Sequence, residues 1–584
     1  MKKNQPLRKL SEQELLLILS LLVGVCVGMA AVVLHTLIDV IKELLHGAVP
    51  SSIPFMNLVY PGVGMLLALF IVKYIIKDNI GHGVTKVLVA VSRNESRIKP
   101  HNTWSSVLTS ALTIGFGGSV GAEAPIVYTG AAIGSNIGKA AHLSYRNMTI
   151  LLGCGAAAAV SGIFKAPLAG VLFTLEILLF NISMTSMTPL LLSTVSATVV
   201  SYIFLGSSST FQCALTPFNM HNIPFYIVLG LFCGLMSVYF LRTTLSMEDR
   251  LGKVKNPYYK WIGCAVGLGL LIFLFPPLYG EGYDNVGQLL RGEHLSFDNT
   301  ILSFMTQSDW GILLFFSLVM FLKVFSMTLT NAGGGVGGTF GPTLFVGAMA
   351  GFVVARFINL INGNLIWSVP EQNFVLVGMA GLMAGVMQAP MTAIFLIAEI
   401  SGGYELFLPL IITSAISFGT TRIFEHYSIY TKRIAQSGDL LTHNNDRAVL
   451  TLLKTESLVK DKYPRVKATD SLRSIVRVMS QDNAAVLAVV DDDQKFLGLV
   501  DLDNIRKYMF RSDLYNRLHV SDIMESPKAY VYLDEKMESV MAKFDKTQAW
   551  RLPVINEENI YQGFVSRSRI LSAYRDELKQ ISLD

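Results

Sequence analysis

GGSVGAEAPIVYTGAAIG occupies Gly117–Gly134, and GGVGGTFGPTLFVGAMAG occupies Gly334–Gly351. Pro125 aligns with Pro342, an offset of 217 residues that also pairs Gly121 with Gly338, Gly130 with Gly347, Ala131 with Ala348 and Gly134 with Gly351. At that offset a carboxylate, Glu123, faces an aromatic ring, Phe340. Proline in a first turn with glycines ahead of it marks a helix start. The free N–H groups and dipole of such a start attract anions. An acid planted there, in an apolar duplicated chain, points to a membrane ion pathway.

The duplication runs outward from these motifs. LLGCGAAAAVSGIFKAPLAGVLFTLEI from Leu151 resembles FVLVGMAGLMAGVMQAPMTAIFLIAEI from Phe374, pairing Gly155 with Gly378, Gly162 with Gly385 and Glu176 with Glu399. Pro189-Leu190 and Pro409-Leu410 then read as the opening of a final helix in each half. Gly115–Pro125, Gly333–Pro342 and the two Ala-Pro breaks interrupt apolar segments too short to span, as in transporters whose half-helices end near the midplane. Such repeats are parallel or inverted, and the sequence pattern alone is compatible with both.

Of 584 residues, 52% are hydrophobic and 15% charged, well below the roughly 25% charge of soluble chains. Leu15–Leu34, Leu58–Ile76, Ile223–Phe240, Trp261–Leu278 and Ile312–Leu329 are apolar windows near the roughly 20 residues a spanning helix needs. The chain reads as a polytopic helical membrane protein. Lys2, Lys3, Arg8 and Lys9 precede the first span, which places the N-terminus in the cytoplasm; the long apolar run is unlike a signal peptide. The net charge of +5 is spread along the chain and implies no nucleic-acid partner. The five cysteines lack metal-type spacing and read as small core residues.

Residues 1–210 form a first membrane repeat, 211–435 a second, and 446–584 a soluble tail, itself doubled at about 446–510 and 511–584. FLGLVDLDNIRKYM, Phe496–Met509, and YQGFVSRSRILSAY, Tyr561–Tyr574, close the two tail units. Each unit reads as a helix, a strand pair and a closing helix, with a period-2 strand at Ala485–Val490. Modules of about 60 residues are small for solitary stability, so a packed pair is expected.

Three functional classes are open to such a chain. An intramembrane metalloprotease needs H-E-x-x-H, which the ten histidines do not contain. A cation transporter regulated by the tail needs converging acids as oxygen ligands. The acids of the spans are chiefly Glu123, Glu176 and Glu399, and the last two read as a repeat-related structural pair. An anion pathway needs helix N-termini and a gate, both of which the glycine motifs offer.

The motifs together resemble those of the CLC family of chloride channels and chloride/proton exchangers. G-A-E-A-P at Gly121–Pro125 is similar to the family's GREGP, G-G-T-F-G-P at Gly337–Pro342 to GGxFxP, and Ser428-Ile429-Tyr430 to its late S-I-Y. The resemblance implies an all-α polytopic membrane fold of two inverted helical repeats, followed by a cytoplasmic α/β tandem CBS pair. It implies a homodimer in the cell membrane, with Glu123 as the gate and His82, Thr339, Phe340 and Tyr430 around chloride. Backbone amides would come from the helix starts at Gly121, Ala122, Gly338 and Gly341. No enzymatic activity, metal or bound cofactor is expected.

Two departures stand out. Gly81-His82-Gly83-Val84-Thr85 replaces GSGIP, so a histidine stands where the family has serine. Ile177 follows Glu176 where exchangers often carry an internal glutamate. Ile177 favours a chloride channel, with a proton-coupled antiporter as the alternative. In the tail an adenine nucleotide would meet Asp503 and Ser566, although neither copy keeps the acid of the usual [ST]-x-x-D motif.

Overall fold

The computed structural model describes residues 11–48, 56–78, 80, 81, 83–93, 95–178, 184–206, 211–293, 302–362, 368–436, 453, 455–459, 463–482 and 484–582. The chain divides into two compact units, Met1–Leu441 and Thr442–Asp584.

The first unit is helical. Its first half contains α1 (Glu12–Ala48), α2 (Met56–Phe70, prolonged by a π-helical turn Ile71–Ile76), α3 (Gly83–Arg93), α4 (Ser105–Gly115), α5 (Glu123–Ala140), α6 (Tyr145–Phe164), α7 (Pro167–Glu176) and α8 (Met184–Leu205). Its second half contains α9 (Ile223–Gly252), α10 (Pro257–Leu274), α11 (Tyr283–Arg291), α12 (Asp309–Ala332), α13 (Phe340–Ile361), α14 (Glu371–Met387), α15 (Pro390–Ile400) and α16 (Phe407–Phe424), with α17 (Ile429–Gln436) after it. Among the described residues nine helical segments are long and apolar enough to cross a bilayer; α3, α4, α7, α14 and α15 are shorter.

The two halves pack alike. In the first, α5 lies on α6, α1 on α8, α6 on α8 and α3 on α5; in the second, α13 lies on α14, α9 on α16, α14 on α16 and α11 on α13. Across the halves, α2 meets α10, α5 meets α13 and α7 meets α15, each helix touching its own equivalent. Self-pairing of equivalents is the mark of a twofold axis. The Glu176 carboxylate, at the end of α7, accepts the Met391 and Thr392 amides that open α15, at 3.0 and 2.7 Å. The Glu399 carboxylate, at the end of α15, accepts the Leu168 and Ala169 amides that open α7, at 3.1 and 2.9 Å. The two helices are therefore antiparallel and cap one another. An axis that reverses spanning helices lies in the membrane plane, so the repeats are inverted.

Glycine sets the tightest contacts. A Cβ at Gly155 would lie 2.0 Å from the Gly130 carbonyl oxygen, and one at the equivalent Gly378 would lie 2.4 Å from the Gly347 oxygen. Membrane helices gain their stability from such close backbone approach.

Two sequence readings shift. The Trp261–Leu278 window outruns its helix, because Pro276 and Pro277 cannot continue α10 beyond Leu274. The last helix of the first half opens at Met184, with Pro189 inside it. Its counterpart opens at Phe407, with Pro409 in the first turn. A proline inside a membrane helix is tolerated where neighbours satisfy the freed carbonyl.

The second unit holds two three-stranded sheets, β1 (Arg465–Lys467), β2 (Val486–Val490) and β3 (Phe496–Asp501), then β4 (Val531–Tyr532), β5 (Arg551–Ile555) and β6 (Tyr561–Ser566). Each sheet places a short parallel strand beside an antiparallel pair, one strand more than the sequence pattern suggests. Its longer helices are α18 (Leu472–Asp482), α19 (Met537–Thr547) and α20 (Arg567–Ser582), beside the single turns Thr455–Leu458 and Leu502–Ile505. As the middle strand, β2 is buried at every position, so its pattern is continuous rather than period-2. The copies join symmetrically: the Phe496 amide donates to the Asn559 carbonyl at 2.9 Å, and the Tyr561 amide to the Gln494 carbonyl at 3.0 Å. Phe496 and Tyr561 stack with centroids 5.9 Å apart.

Candidate anion pathway

The two glycine motifs meet. The Gly121 amide donates to the Gly338 carbonyl at 3.1 Å, and the Gly338 amide returns the bond to Gly121 at 2.7 Å. This two-residue antiparallel bridge joins residues equivalent by the 217-residue offset and sits on the twofold axis. Immediately after it, α5 opens at Glu123 and α13 at Phe340. The Gly121 and Gly338 amides, expected to face an anion, are instead spent on each other's carbonyls, and the starts of two helices are thereby brought together inside the membrane unit. A third arrives with α3: a Cβ at Gly83 would lie 2.3 Å from the Ala124 carbonyl oxygen. The first turn of α17 carries Tyr430, and α17 packs on α3 and α14.

Glu123 is buried, at 2% exposure. Its Oε2 accepts the Gly341 amide at 3.2 Å, and its Oε1 accepts the Tyr283 hydroxyl. The carboxylate thus reaches from its own helix start to that of α13. A Cβ at Gly121 would fall 2.8 Å from the Gly341 amide nitrogen and 2.0 Å from Glu123 Oε2; the backbone contact cannot yield, which explains a glycine there. The Ala122 amide is held by a different acid, Glu281, whose Oε1 accepts it at 3.0 Å.

Thr339 and Tyr430 are buried, at 2% and 1% exposure, and among the described residues neither hydroxyl has a hydrogen-bond partner. The Thr85 hydroxyl is in the same state. Buried polar groups left unpaired in an apolar setting are costly. Phe340 forms an apolar wall, its ring 5.5 Å from that of Phe164 and 6.4 Å from that of Phe173. Ile177 is buried at the end of α7. His82 lies outside the described residues.

In the second unit Asp503 is exposed and pairs with Arg506 at 3.2 Å. The Ser566 hydroxyl accepts the Arg569 amide at 3.3 Å and meets the Ser568 hydroxyl at 3.3 Å. Both residues are thus engaged in local contacts at helix starts, Asp503 in the single turn Leu502–Ile505 and Ser566 just before the helix that opens at Arg567.

Three buried residues around Glu123 and the Gly280 turn escaped the sequence reading: Glu281, Tyr283 and Lys323. Lys323 is fully buried; its ammonium donates to the Gly280 carbonyl at 2.8 Å and faces the Phe345 ring at 4.7 Å. The available signal was Gly280-Glu281-Gly282-Tyr283, a second Gly-X-Gly ahead of a short helix, matching Gly81-His82-Gly83-Val84.

Inverted halves of interrupted helices, converging at a buried acid and unpaired hydroxyls, define a multi-pass membrane transporter for small anions. The description of the voltage gated chloride channel family matches residues 63–422, and that of the CBS domain matches 456–511 and 520–576. The chain belongs to the CLC family and carries a C-terminal pair of CBS domains. Its relatives include the chloride channel protein CLC-e of Arabidopsis thaliana, 26% identical over 560 residues that cover 85% of this chain and 76% of that protein. The H(+)/Cl(-) exchange transporter ClcA of Cronobacter sakazakii is 26% identical over 419 residues, 68% of this chain and 84% of that protein. A slow cyanobacterial Cl-/H+ antiporter shares the fold at a TM-score of 0.63 and 22% identity, over 74% of this chain and 99% of that one. A eukaryotic CLC transporter shares it at 0.60 and 17% identity, over 96% and 99%.

Proposed function

We propose that this chain conducts chloride through a pathway gated by Glu123, uncoupled from proton movement. The observation that carries the reading is the bond from the Gly341 amide to the Glu123 carboxylate at 3.2 Å. A tethered anion there takes the place a free anion would take at the α13 start. Chloride entering that place displaces the carboxylate, and protonation releases it too, since a neutral acid gains less from the helix dipole. Thr339 and Tyr430 offer hydroxyls to the partly dehydrated ion, Phe340 closes the apolar side, and His82, just ahead of α3 in the sequence, is the further candidate ligand. Partial charges hold chloride without trapping it.

Ile177 supports the channel reading, because a buried alkyl chain carries no proton at the place where exchangers often have an acid. A proton-coupled antiporter is the second reading, favoured by relatives named as H(+)/Cl(-) exchange transporters. A homodimer in the cell membrane, with the N-terminus and the CBS pair cytoplasmic, completes the proposal; Lys2, Lys3, Arg8 and Lys9 support that orientation.

The test is reconstitution in vesicles with an imposed chloride gradient, following chloride and protons together. The channel reading expects chloride efflux with no net proton flux. Uphill proton transport in fixed ratio to chloride would replace it with the antiporter. No chloride flux at all would overturn both.

A further inference from the structure

Gly280-Glu281-Gly282-Tyr283 joins α10 to α11 and has no part in the gating scheme above. It repeats the Gly-X-Gly that precedes α3, and α11 packs on α13 as α3 packs on α5. In this half, X is an acid that crosses the axis. Glu281 holds the Ala122 amide at the start of α5, while Glu123 holds the Gly341 amide at the start of α13. Each of the two equivalent helix starts is therefore covered by a tethered carboxylate. Tyr283, two residues after Glu281, donates its hydroxyl to Glu123 and so links the turn to the gate.

The turn is anchored from several sides. The Gly280 amide donates to the Gly117 carbonyl at 3.0 Å, tying it to the first glycine motif. The Gly280 carbonyl takes the Lys323 ammonium. Gly280 and Gly282 have φ of +60° and +87°, and a Cβ at Gly282 would strike the Phe345 ring at 2.4 Å. A fully buried lysine is expensive in a membrane protein; here it serves a backbone carbonyl whose position sets Glu281 and Tyr283. The charged and titratable groups around Glu281 are Glu123 on α5, Tyr283, Lys323 on α12, and His35 and Lys42 on α1.

We propose that the Gly280–Tyr283 turn is a clamp on the gate, in which Tyr283 holds Glu123 in its blocking position and Glu281 occupies the α5 amide in competition with the permeating anion. Glu123 leaves the α13 start only by breaking its bond to Tyr283. An anion reaches the Ala122 amide only by displacing Glu281. Both residues are positioning residues that raise the chloride concentration needed for transport. The proposal rests on Glu123 being the gate.

The test uses the full chain in vesicles, with chloride flux measured against chloride concentration, and calorimetry of chloride binding in detergent. The variants are Tyr283→Phe, Glu281→Gln, Glu123→Ala and the double variant Glu123→Ala/Tyr283→Phe. Tyr283→Phe is expected to lower half-saturating chloride about tenfold, equivalent to about 1.4 kcal/mol, the scale of one hydrogen bond to a charged group. That effect vanishes in the Glu123→Ala background, which a general packing defect would not do. Glu281→Gln, an independent arm, is expected to tighten chloride binding several-fold. If Glu123→Ala alters flux while Tyr283→Phe and Glu281→Gln leave the chloride dependence untouched, the clamp is wrong and the gate stands. If Glu123→Ala itself changes nothing, the gate falls and the clamp falls with it.

Discussion

Alanine at Gly155 sets a methyl group 2.0 Å from the Gly130 carbonyl oxygen and 2.6 Å from its carbon. The closest ordinary carbon–oxygen approach is about 3.3 Å, so α5 and α6 must part by about 1.3 Å at the contact. Both colliding atoms are backbone, so no side-chain rotation relieves them. Overpacking of this kind costs about 1–3 kcal/mol, and a rigid helix pair belongs at the upper end, about 3 kcal/mol. Gly378→Ala, the symmetry equivalent, meets the Gly347 oxygen at 2.4 Å and is expected to fail in the same way. Gly263 in α10 and Gly419 in α16 have nothing within 4 Å of a built Cβ. Alanine there keeps the packing and gains up to about 1 kcal/mol of helix propensity. Thermal unfolding of the full chain in detergent compares the four. Gly155→Ala and Gly378→Ala should melt several degrees below the parent, with Gly263→Ala and Gly419→Ala at or above it. Since α5 carries Glu123, Gly155→Ala should also depress chloride flux. Equal melting of all four variants would refute the backbone-contact account of the helix pairs.

Glu176→Ala uncaps two α15 amides, and Glu399→Ala uncaps two α7 amides. Each is expected to lose about 2–6 kcal/mol, from two orphaned groups at about 1–3 kcal/mol each, and the two melting temperatures should fall together; a fall in one alone breaks the symmetry argument. Tyr430→Phe removes a buried hydroxyl that makes no hydrogen bond within 3.5 Å among the described residues, so melting should hold while chloride binding by calorimetry weakens about tenfold or more, the scale of a hydrogen bond to a charged group. In the tail, burial alone would raise the Glu535 carboxyl, but hydrogen bonds from Lys543, Ser539 and the Tyr532 amide hold it below its ordinary value of 4.5. Its contribution to stability is then full above that value and lost as pH falls through the lower folded one. Hydrogen exchange in β5 and α19 should accelerate over that range in the parent and less so in Glu535→Gln.

The parts legible in the sequence were those that repeat. Gly121 and Gly338 announced themselves because a bridge on a twofold axis needs the same small residue in both halves. Glu176 and Glu399 read as a structural pair for the same reason, and the geometry supplies the cause, mutual capping of antiparallel helices. The hidden parts break the repeat. Glu281 stands opposite a histidine, and its amide partner lies in the other half of the chain, so neither spacing nor periodicity marks it. Tyr283 is one tyrosine among 21, made special only by the carboxylate it reaches. Strands of two and three residues, such as β4 and β1, are too short for any alternation to show.

The most direct measurement of the central claim is chloride flux as a function of pH for the parent and Glu123→Gln, reconstituted side by side. If the Glu123 carboxylate is the gate, the parent conducts more as acid neutralises it, and the glutamine variant conducts at a rate that hardly varies with pH. A Glu123→Gln protein whose flux follows pH as steeply as the parent's would contradict the account.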